Sequence, residues 1–230
     1  MLRSGESLRA PLRKAFASRL NCAECLSSTR NLMGLHARVK KFTPAEYLTL
    51  ERTSAYRSEY FQGEIFAIAG GTPRHSKLKT NLIIALGIPL RGHSCTLYDS
   101  DLRIRVDQTG LYTYPDASIV CGPLELADGQ PDVVLNPTVL FEVLSDSTEA
   151  YDRGQKFGHY RQIESLREYV LVSQKEVLVE RFERNPNNTW TMTESRGIES
   201  TLALNSVGIS IPLREIYDKV DFSKPETEAV

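Results

Sequence analysis

The sequence lacks two features that would assign the protein to a broad class at once. No apolar run approaches the roughly 20 residues needed to cross a bilayer, so we expect no membrane-spanning segment. There is also no excess of positive charge, because the net charge is -1. A protein that binds nucleic acid through bulk charge is usually strongly basic. Any polyanionic substrate would therefore be held by a local basic patch or through metal ions.

Cysteine is scarce, and its spacing predicts no disulfide framework. The chain has four cysteines, of which Cys22 and Cys25 form a lone CxxC motif without a second pair at ligand spacing. We therefore expect reduced thiols and a cytoplasmic protein.

The charge is unevenly distributed along the chain. Residues 1–32 hold six basic and two acidic side chains, whereas the remainder holds 22 basic and 27 acidic ones. This first segment has no hydrophobic periodicity, and it reads either as a transit-peptide-like extension or as the product of a mis-assigned start. We predict one domain over residues 33–222, because a chain of this length can bury a single sizeable core, followed by an acidic tail over 223–230.

Local patterns predict strands interleaved with helices. Thr43-Pro44-Ala45-Glu46 is a capping box that begins a helix ending near Glu51. Two strand halves turn at Gln62-Gly63, and a second helix carries Leu78, Leu82, Ala85 and Leu86 and should end near Arg91-Gly92. Further strands are predicted over 95–98, 102–106, 117–121, 168–172 and 176–182, with a helix over 151–163. This order is typical of an α/β or α+β fold with a mixed sheet.

A carboxylate lies inside the most apolar strand of the chain. The run from Pro137 to Ser145 is apolar on both faces except for Glu142, which predicts a central strand covered on both sides. An unpaired ionised Glu there would cost several kcal/mol or more. Glu142 should therefore meet a metal ion, a basic side chain or a proton. A buried Glu–Arg pair is the structural alternative.

Two more carboxylates stand at strand beginnings. Asp116 follows Pro115 directly before the strand that starts at Ala117, and Glu64 follows Gly63 before Ile65. If such carboxylates converge at one end of a sheet, they can bind a hard cation such as Mg²⁺ or Mn²⁺. The alternatives are a simple turn residue for Asp116 and a solvated hairpin residue for Glu64.

The helix after the Glu142 strand supplies a positive charge. Asp152, Lys156 and Tyr160 are spaced i, i+4, i+8 and lie near one face. Lys156 could point back at the carboxylates and stabilise charge on a phosphorus centre. An ordinary surface pair of Asp152 with Lys156, a core role for Tyr160 and a capping or surface role for His75 are the alternatives.

These motifs together resemble the PD-(D/E)XK nuclease superfamily and, within it, the Uma-type endonucleases. The resemblance rests on order and spacing from about Phe42 to Ile211, and its main segments are Gly63-Glu64-Ile65, His75-Ser76, Tyr114-Pro115-Asp116-Ala117-Ser118, Phe141-Glu142-Val143-Leu144-Ser145, Asp152/Lys156/Tyr160 and Glu168-Tyr169-Val170-Leu171-Val172.

The resemblance implies a restriction-endonuclease-like core, αβββαβ, with a mixed β-sheet flanked by helices. It also implies phosphodiester hydrolysis that depends on Mg²⁺, with Mn²⁺ as a substitute. Asp116, Glu142 and the Val143 carbonyl would hold the metal, and Glu64 would be an auxiliary acid. His75, Asp152 and Tyr160 are further auxiliary candidates.

One position departs from the superfamily pattern. The pattern places a Lys two residues after the Glu, and here that residue is Leu144. In this branch the Lys is moved to the following helix, which matches Lys156.

We therefore expect a cytoplasmic, metal-dependent endonuclease that acts on DNA, without a membrane partner. Cutting both strands of a duplex calls for two sites, which favours a homodimer. Two rival hypotheses stay open. The first is an inactive nucleic-acid- or protein-binding module with the same fold, which the acidic charge favours, and the second is a structural protein in which Glu142 and Lys156 form a buried ion pair.

Overall fold

The computed structural model describes residues 40–68 and 70–223. The basic segment 1–32, its CxxC motif and residues 224–230 of the acidic tail lie outside the described residues. Within the described ranges, no helix combines the length and apolar character that crossing a membrane requires.

The described chain forms fourteen strands and several helices. The helices are α1 Pro44–Glu51, α2 Pro73–Gly87, α3 Glu149–Tyr151, a π-helical turn Asp152–Lys156 that continues into α4 Phe157–Tyr160, and α5 Leu213–Ile216. The strands are β1 Ser58–Phe61, β2 Glu64–Ala67, β3 Cys95–Asp99, β4 Arg103–Val106, β5 Leu111–Thr113, β6 Ala117–Cys121, β7 Leu126–Ala127, β8 Gln130–Val134, β9 Val139–Val143, β10 Glu168–Val172, β11 Leu178–Arg184, β12 Trp190–Arg196, β13 Thr201–Leu204 and β14 Ile209–Pro212.

These strands form two six-stranded sheets and a hairpin. The first sheet has the order β2-β1-β5-β4-β8-β7, the second has the order β12-β11-β10-β9-β6-β3, and β13 pairs with β14. In the second sheet β9 and β10 are parallel, whereas β6 runs antiparallel to β9. The succession α2, β3, β6, β9, the helix from α3 to α4, and β10 is the αβββαβ core that the resemblance implied. The predicted fold class is confirmed.

Strand β9 is the centre of the protein, as its apolar sequence predicted. All five of its residues are buried. On one face Val139, Phe141 and Val143 pack against α2, α5 and the β13–β14 hairpin. On the other face Leu140 and Leu144 pack with Tyr160 and with residues of the first sheet. A third cluster, which includes Tyr47 and Tyr60, joins α1 to the first sheet.

Most predicted elements are present, but two details of the sequence interpretation are wrong. The α1 capping box forms as predicted, with reciprocal bonds between Thr43 and Glu46. Helix α2 ends at Gly87 rather than near Arg91-Gly92. Ile88 still has helical backbone angles, but Pro89 lacks the N–H that a continuing helix needs, which explains the early end.

The expectation that all cysteines are reduced is also wrong. Cys95 and Cys121 are directly opposite each other in the antiparallel β3–β6 pair, and their sulfur atoms form a disulfide. Opposite residues of an antiparallel pair bring their Cβ atoms close, which allows this bond. The sequence pattern had predicted both strands but not their pairing.

Candidate active site

The candidate site lies where β9 ends and β6 begins. Because β6 runs antiparallel to β9, the residue before β6 lies beside the carboxyl end of β9. The backbone N–H of Asp116 donates to the Phe141 carbonyl at 3.0 Å, and the Val143 N–H donates to Asp116 Oδ2 at 2.8 Å. The two predicted metal carboxylates, Asp116 and Glu142, are therefore carried by paired strands at the same end of the sheet.

Glu142 is held by two groups from the following helix. Its side chain is buried on the face of Leu140 and Leu144, with 5% of the residue exposed. The Lys156 Nζ atom lies 2.9 Å from Glu142 Oε1, and the Tyr160 hydroxyl donates to the same oxygen at 2.9 Å. Within the described chain no hydrogen bond reaches Oε2, so one oxygen of Glu142 is anchored and the other is left for a ligand.

Lys156 contacts three carboxylates at once. Besides Glu142, its Nζ atom lies 3.2 Å from Glu59 Oε1 and 3.5 Å from Asp152 Oδ1. Both Asp152 and Lys156 are buried, so they are not the ordinary surface pair that their spacing also allowed. They begin and end the π-helical turn, a feature that is frequent at functional sites. The structure thus brings the lysine of the following helix to the central Glu.

The third carboxylate of this group is Glu59, which the sequence interpretation missed. It lies on β1 in the first sheet, where it also accepts a hydrogen bond from the Thr113 hydroxyl. Glu64, the predicted auxiliary acid, is exposed on β2 and pairs with Phe61 across the hairpin. Among the described residues, Glu64 makes no ion pair or hydrogen bond with Lys156 or Glu142. Glu59 and Phe61 lie on one face of β1, and an acid on an otherwise apolar face was the signal that could have identified it.

Asp116 is anchored from the opposite side of the sheet. Helix α2 places His75 Nε2 at 3.3 Å from Asp116 Oδ2, the oxygen that also accepts the Val143 N–H. Lys79, one helical turn later, lies 4.0 Å from Oδ1. Asp116 is therefore fixed through Oδ2, and His75 is neither a surface residue nor a cap, because Thr72 caps α2.

The electrostatics indicate a surplus of negative charge around one lysine. Burial raises the pKa of Glu142 well above its usual value, and the charges of Asp152 and Asp116 raise it further. Burial likewise raises the pKa of Asp152. Burial alone would lower the pKa of Lys156, but Glu142, Glu59 and Asp152 together outweigh it and hold that pKa well above its usual value. Burial therefore favours the protonated forms of Glu142 and Asp152.

Asp116 is the exception among the buried carboxylates. Burial would raise its pKa, but the hydrogen bond and the charge of His75 outweigh burial, with help from the Val143 N–H and Lys79. The pKa of Asp116 is therefore lowered. A buried carboxylate whose pKa is lowered favours its ionised form, which suits it to bind a cation.

The donor set fits a hard divalent cation. Carboxylate and carbonyl oxygens are the ligands that Mg²⁺ and Mn²⁺ prefer, and Asp116, Glu142 and the Val143 carbonyl offer that chemistry at one end of the sheet. In the described chain, hydrogen bonds reach Oδ2 of Asp116 and Oε1 of Glu142, while Lys79 lies 4.0 Å from Asp116 Oδ1. Across residues 40–68 and 70–223, no three His, Cys, Asp or Glu side chains group as a metal site. A cation would therefore depend on two carboxylates and a backbone carbonyl.

Comparison with known proteins gives concordant results. Residues 44–214 match the Uma2 family model, described as "Putative restriction endonuclease". The chain is similar to two uncharacterized proteins of Synechocystis sp., one 36% identical over 79% of this chain and 94% of the relative, the other 35% identical over 70% and 91%. The fold is similar to the crystal structure of a putative nuclease belonging to DUF820 from Anabaena variabilis, with a TM-score of 0.62, 14% identity, and coverage of 78% of this chain and 96% of that one. The chain belongs to the Uma2 family of putative restriction endonucleases.

Proposed function

We propose that the protein is an endonuclease that hydrolyses phosphodiester bonds in DNA with Mg²⁺, or Mn²⁺ in its place. The observation that carries the proposal is the pair Asp116 and Glu142 at the same end of the sheet, each hydrogen-bonded through one oxygen in the described chain. Family membership and the similar nuclease fold support the reaction class. The metal and the DNA substrate are the parts that require the experiment below.

Each residue would contribute through a contact described above. Asp116, Glu142 and the Val143 carbonyl would hold the cation, which supplies a Lewis acid for the phosphodiester and lowers the pKa of the attacking water. Lys156 would hold its ammonium beside the scissile phosphate and offset the charge that develops there. Tyr160 fixes Glu142, and Glu59 and Asp152 fix Lys156. These three are positioning residues.

The charge surplus favours this proposal over a purely structural ion pair. A stabilising pair needs one acid and one base, and each added buried charge costs several kcal/mol. Here Lys156 meets Glu142, Glu59 and Asp152, which is an arrangement that burial penalises. Strongly perturbed carboxylates of this kind concentrate at functional sites. A divalent cation would offset the surplus.

A homodimer is part of the proposal because a duplex has two strands and each subunit offers one site. Static light scattering of the protein, alone and with a short DNA duplex, would measure the subunit number. A monomer in both samples would restrict the proposal to cutting one strand at a time.

The decisive experiment compares the purified protein with the variants Asp116→Asn and Glu142→Gln. Supercoiled and linear DNA would be incubated with Mg²⁺, with Mn²⁺ and with EDTA, and products resolved on gels. We expect cleavage with either cation and none with EDTA. Each variant should lose about 10²-fold or more in rate, because it removes a preorganised charge at the reacting centre.

The matched control is Glu168→Gln, which changes a buried Glu in the neighbouring strand. The folded fraction of this variant should keep the activity of the unmodified protein. Two results together would show that the nuclease proposal is wrong. The unmodified protein would cut neither DNA nor RNA with either cation, and calorimetry would detect no Mn²⁺ binding that is lost in Glu142→Gln. Cleavage of RNA alone would overturn the DNA assignment and leave the reaction class standing.

A further inference from the structure

We propose that an uncharged pocket beside the candidate site binds an unpaired nucleobase of the substrate strand. The inference rests on the proposed nuclease function, since it assigns a second part of the same substrate. It concerns neither the metal nor the scissile phosphate.

The pocket lies between the helix that carries Lys156 and the first sheet. It has a volume of about 590 Å³, and it is lined mainly by Phe61, Gln108, Thr109, Gln155, His159 and Gln162. Small-molecule sites in proteins usually occupy about 300–1,000 Å³. A nucleobase with part of its sugar can therefore be accommodated.

The chemistry of the lining points to a base rather than to a phosphate. None of the described residues that line the pocket is Asp, Glu, Lys or Arg. Burial also lowers the pKa of His159, so its imidazole is neutral at neutral pH. A second pocket nearby, of about 440 Å³, is lined by Asp107, Glu125, Glu164 and Arg167 among others. Only the first pocket offers a surface without charge, on which a phosphate would gain no ionic partner.

The side chains present suit both the face and the edge of a base. A glutamine amide carries a donor and an acceptor, the combination that reads the N6/N7 edge of adenine. Phe61 and His159 make an edge-to-face contact at 4.6 Å, and aromatic rings of this kind stack on unpaired bases. The Thr109 hydroxyl is buried and has no hydrogen-bond partner in the described part of the chain.

The pocket is adjacent to the proposed reaction centre on two elements. Gln155 lies in the π-helical turn, His159 in α4 and Gln162 two residues after α4. Lys156 and Tyr160, which contact Glu142, directly follow Gln155 and His159 in the chain. On β1, Phe61 and Glu59 share a face and are two residues apart, which is about 7 Å along a strand. A base in the pocket would thus belong to a nucleotide next to the cut.

The experiment removes the base and the pocket separately. Single-stranded DNA oligonucleotides with one abasic residue, moved stepwise through the cut site, would be cleaved in Mn²⁺ by the unmodified protein and by the double variant Gln155→Ala/Gln162→Ala. We expect kcat/KM of the unmodified protein to fall roughly tenfold at one abasic position, as loss of a stacked base implies. The double variant should be slower on intact DNA and insensitive to the abasic residue.

Gln130→Ala is the matched control, because it makes the same chemical change on β8, outside the pocket. A second readout does not depend on cleavage. The imidazole signals of His159 in NMR spectra, assigned with His159→Asn, should shift on addition of adenosine or cytidine but not of ribose 5-phosphate.

The outcomes separate the two proposals. If the protein cuts DNA but abasic residues slow it and the double variant equally at every position, the pocket inference is wrong and the nuclease stands. If it cuts nothing while nucleosides shift His159, the nuclease proposal fails and the base site stands. If the protein shows no cleavage and His159 shows no shift, both proposals are wrong.

Discussion

Two buried glutamates in neighbouring strands of one sheet have opposite environments. Glu168 on β10 is fully buried, and both of its oxygens are bonded. Arg181 and the Asn205 N–H contact Oε1, each at 3.1 Å, and the Ser206 N–H and hydroxyl contact Oε2. Glu142 on β9 is bonded only through Oε1, and its lysine is shared with two other acids. The first arrangement is saturated and joins the β13–β14 turn to the sheet. In the second, one carboxylate oxygen has no hydrogen bond in the described chain and three acids surround one base.

The two sites differ in how completely the buried carboxylate is satisfied. Burial raises the pKa of both groups, so the pKa direction alone does not distinguish them. The number of anchored oxygens distinguishes them, and so does the number of acids around the base. Lys156 contacts three acids, whereas Arg181 contacts Glu168 and the more exposed Glu183. A structural site satisfies its charge internally, whereas a site for a cation keeps an oxygen and a negative charge in reserve.

The largest expected effect comes from removing each base. Lys156→Met leaves Glu142, Glu59 and Asp152 without their cation and should cost about 3–5 kcal/mol in the free energy of unfolding in EDTA. Arg181→Met leaves Glu168 bonded by Ser206 and Asn205, so a loss of about 1–3 kcal/mol is expected. Urea titrations would measure both values. Saturating Mn²⁺ should restore stability to Lys156→Met alone, and equal costs without such restoration would remove the distinction.

A smaller effect is expected from removing one hydroxyl at each glutamate. Tyr160→Phe and Ser206→Ala should each lower the free energy of unfolding by about 1–3 kcal/mol, because each deletes a hydrogen bond to a buried carboxylate. Their effects on catalysis should differ. Tyr160→Phe should lower kcat about tenfold with little change in KM, because a misplaced Glu142 affects the reacting geometry, whereas Ser206→Ala should leave kcat unchanged. Equal kcat values would show that Tyr160 is only a core residue.

The smallest effect concerns pH. A carboxyl whose pKa is raised by folding contributes stability that is present at low pH and lost as the pH rises through the folded-state pKa. Glu142 and Asp152 belong to this class. In EDTA, the Tm of the unmodified protein should therefore decline as the pH rises above the usual carboxyl range, and that of Glu142→Gln should decline less. The lowered pKa of Asp116 has the opposite effect on stability, but the stability that it contributes is lost only when the pH falls below the usual carboxyl range. Parallel melting curves from the two proteins would contradict the raised pKa of Glu142.

Saturating Mg²⁺ gives the matching comparison in the same pH scan. The cation should flatten the decline that Glu142 causes, since it favours the ionised carboxylate. The part of the decline in Tm with pH that Glu168→Gln removes should be unaffected by Mg²⁺.

Much of the fold followed from local patterns, while the missing parts depend on pairing. The capping box at Thr43, the apolar β9 and the β1–β2 turn were readable because each is a signal within a few residues. Strands β5, β7, β8 and β13 were missed, because strands of two to five residues carry little periodicity. The seven-residue β12 was also missed, because it is an edge strand whose residues are mostly exposed. The Cys95–Cys121 disulfide depends on the register of β3 against β6, which no local pattern encodes.

The same limit applies to the candidate site. Asp116, Glu142 and Lys156 attracted attention because each is awkward in its own segment. Glu59 did not, because a charged residue in a short hairpin strand is ordinary. Its importance depends on the docking of the first sheet against the helix of Lys156, 97 positions later. The metal-binding roles of these residues stay predictions.

The separation of Glu59 from Lys156 has a consequence for the order in which the polypeptide is made. A ribosome-bound chain that ends before residue 156 has no ammonium for Glu59 and Glu142, and β9 has no parallel neighbour until β10 emerges. The Glu59–Lys156 contact joins positions 97 apart, so the cluster cannot assemble in a shorter nascent chain. Under the proposed function, a chain that has not reached residue 156 would lack the ammonium of the site and, with it, hydrolytic activity.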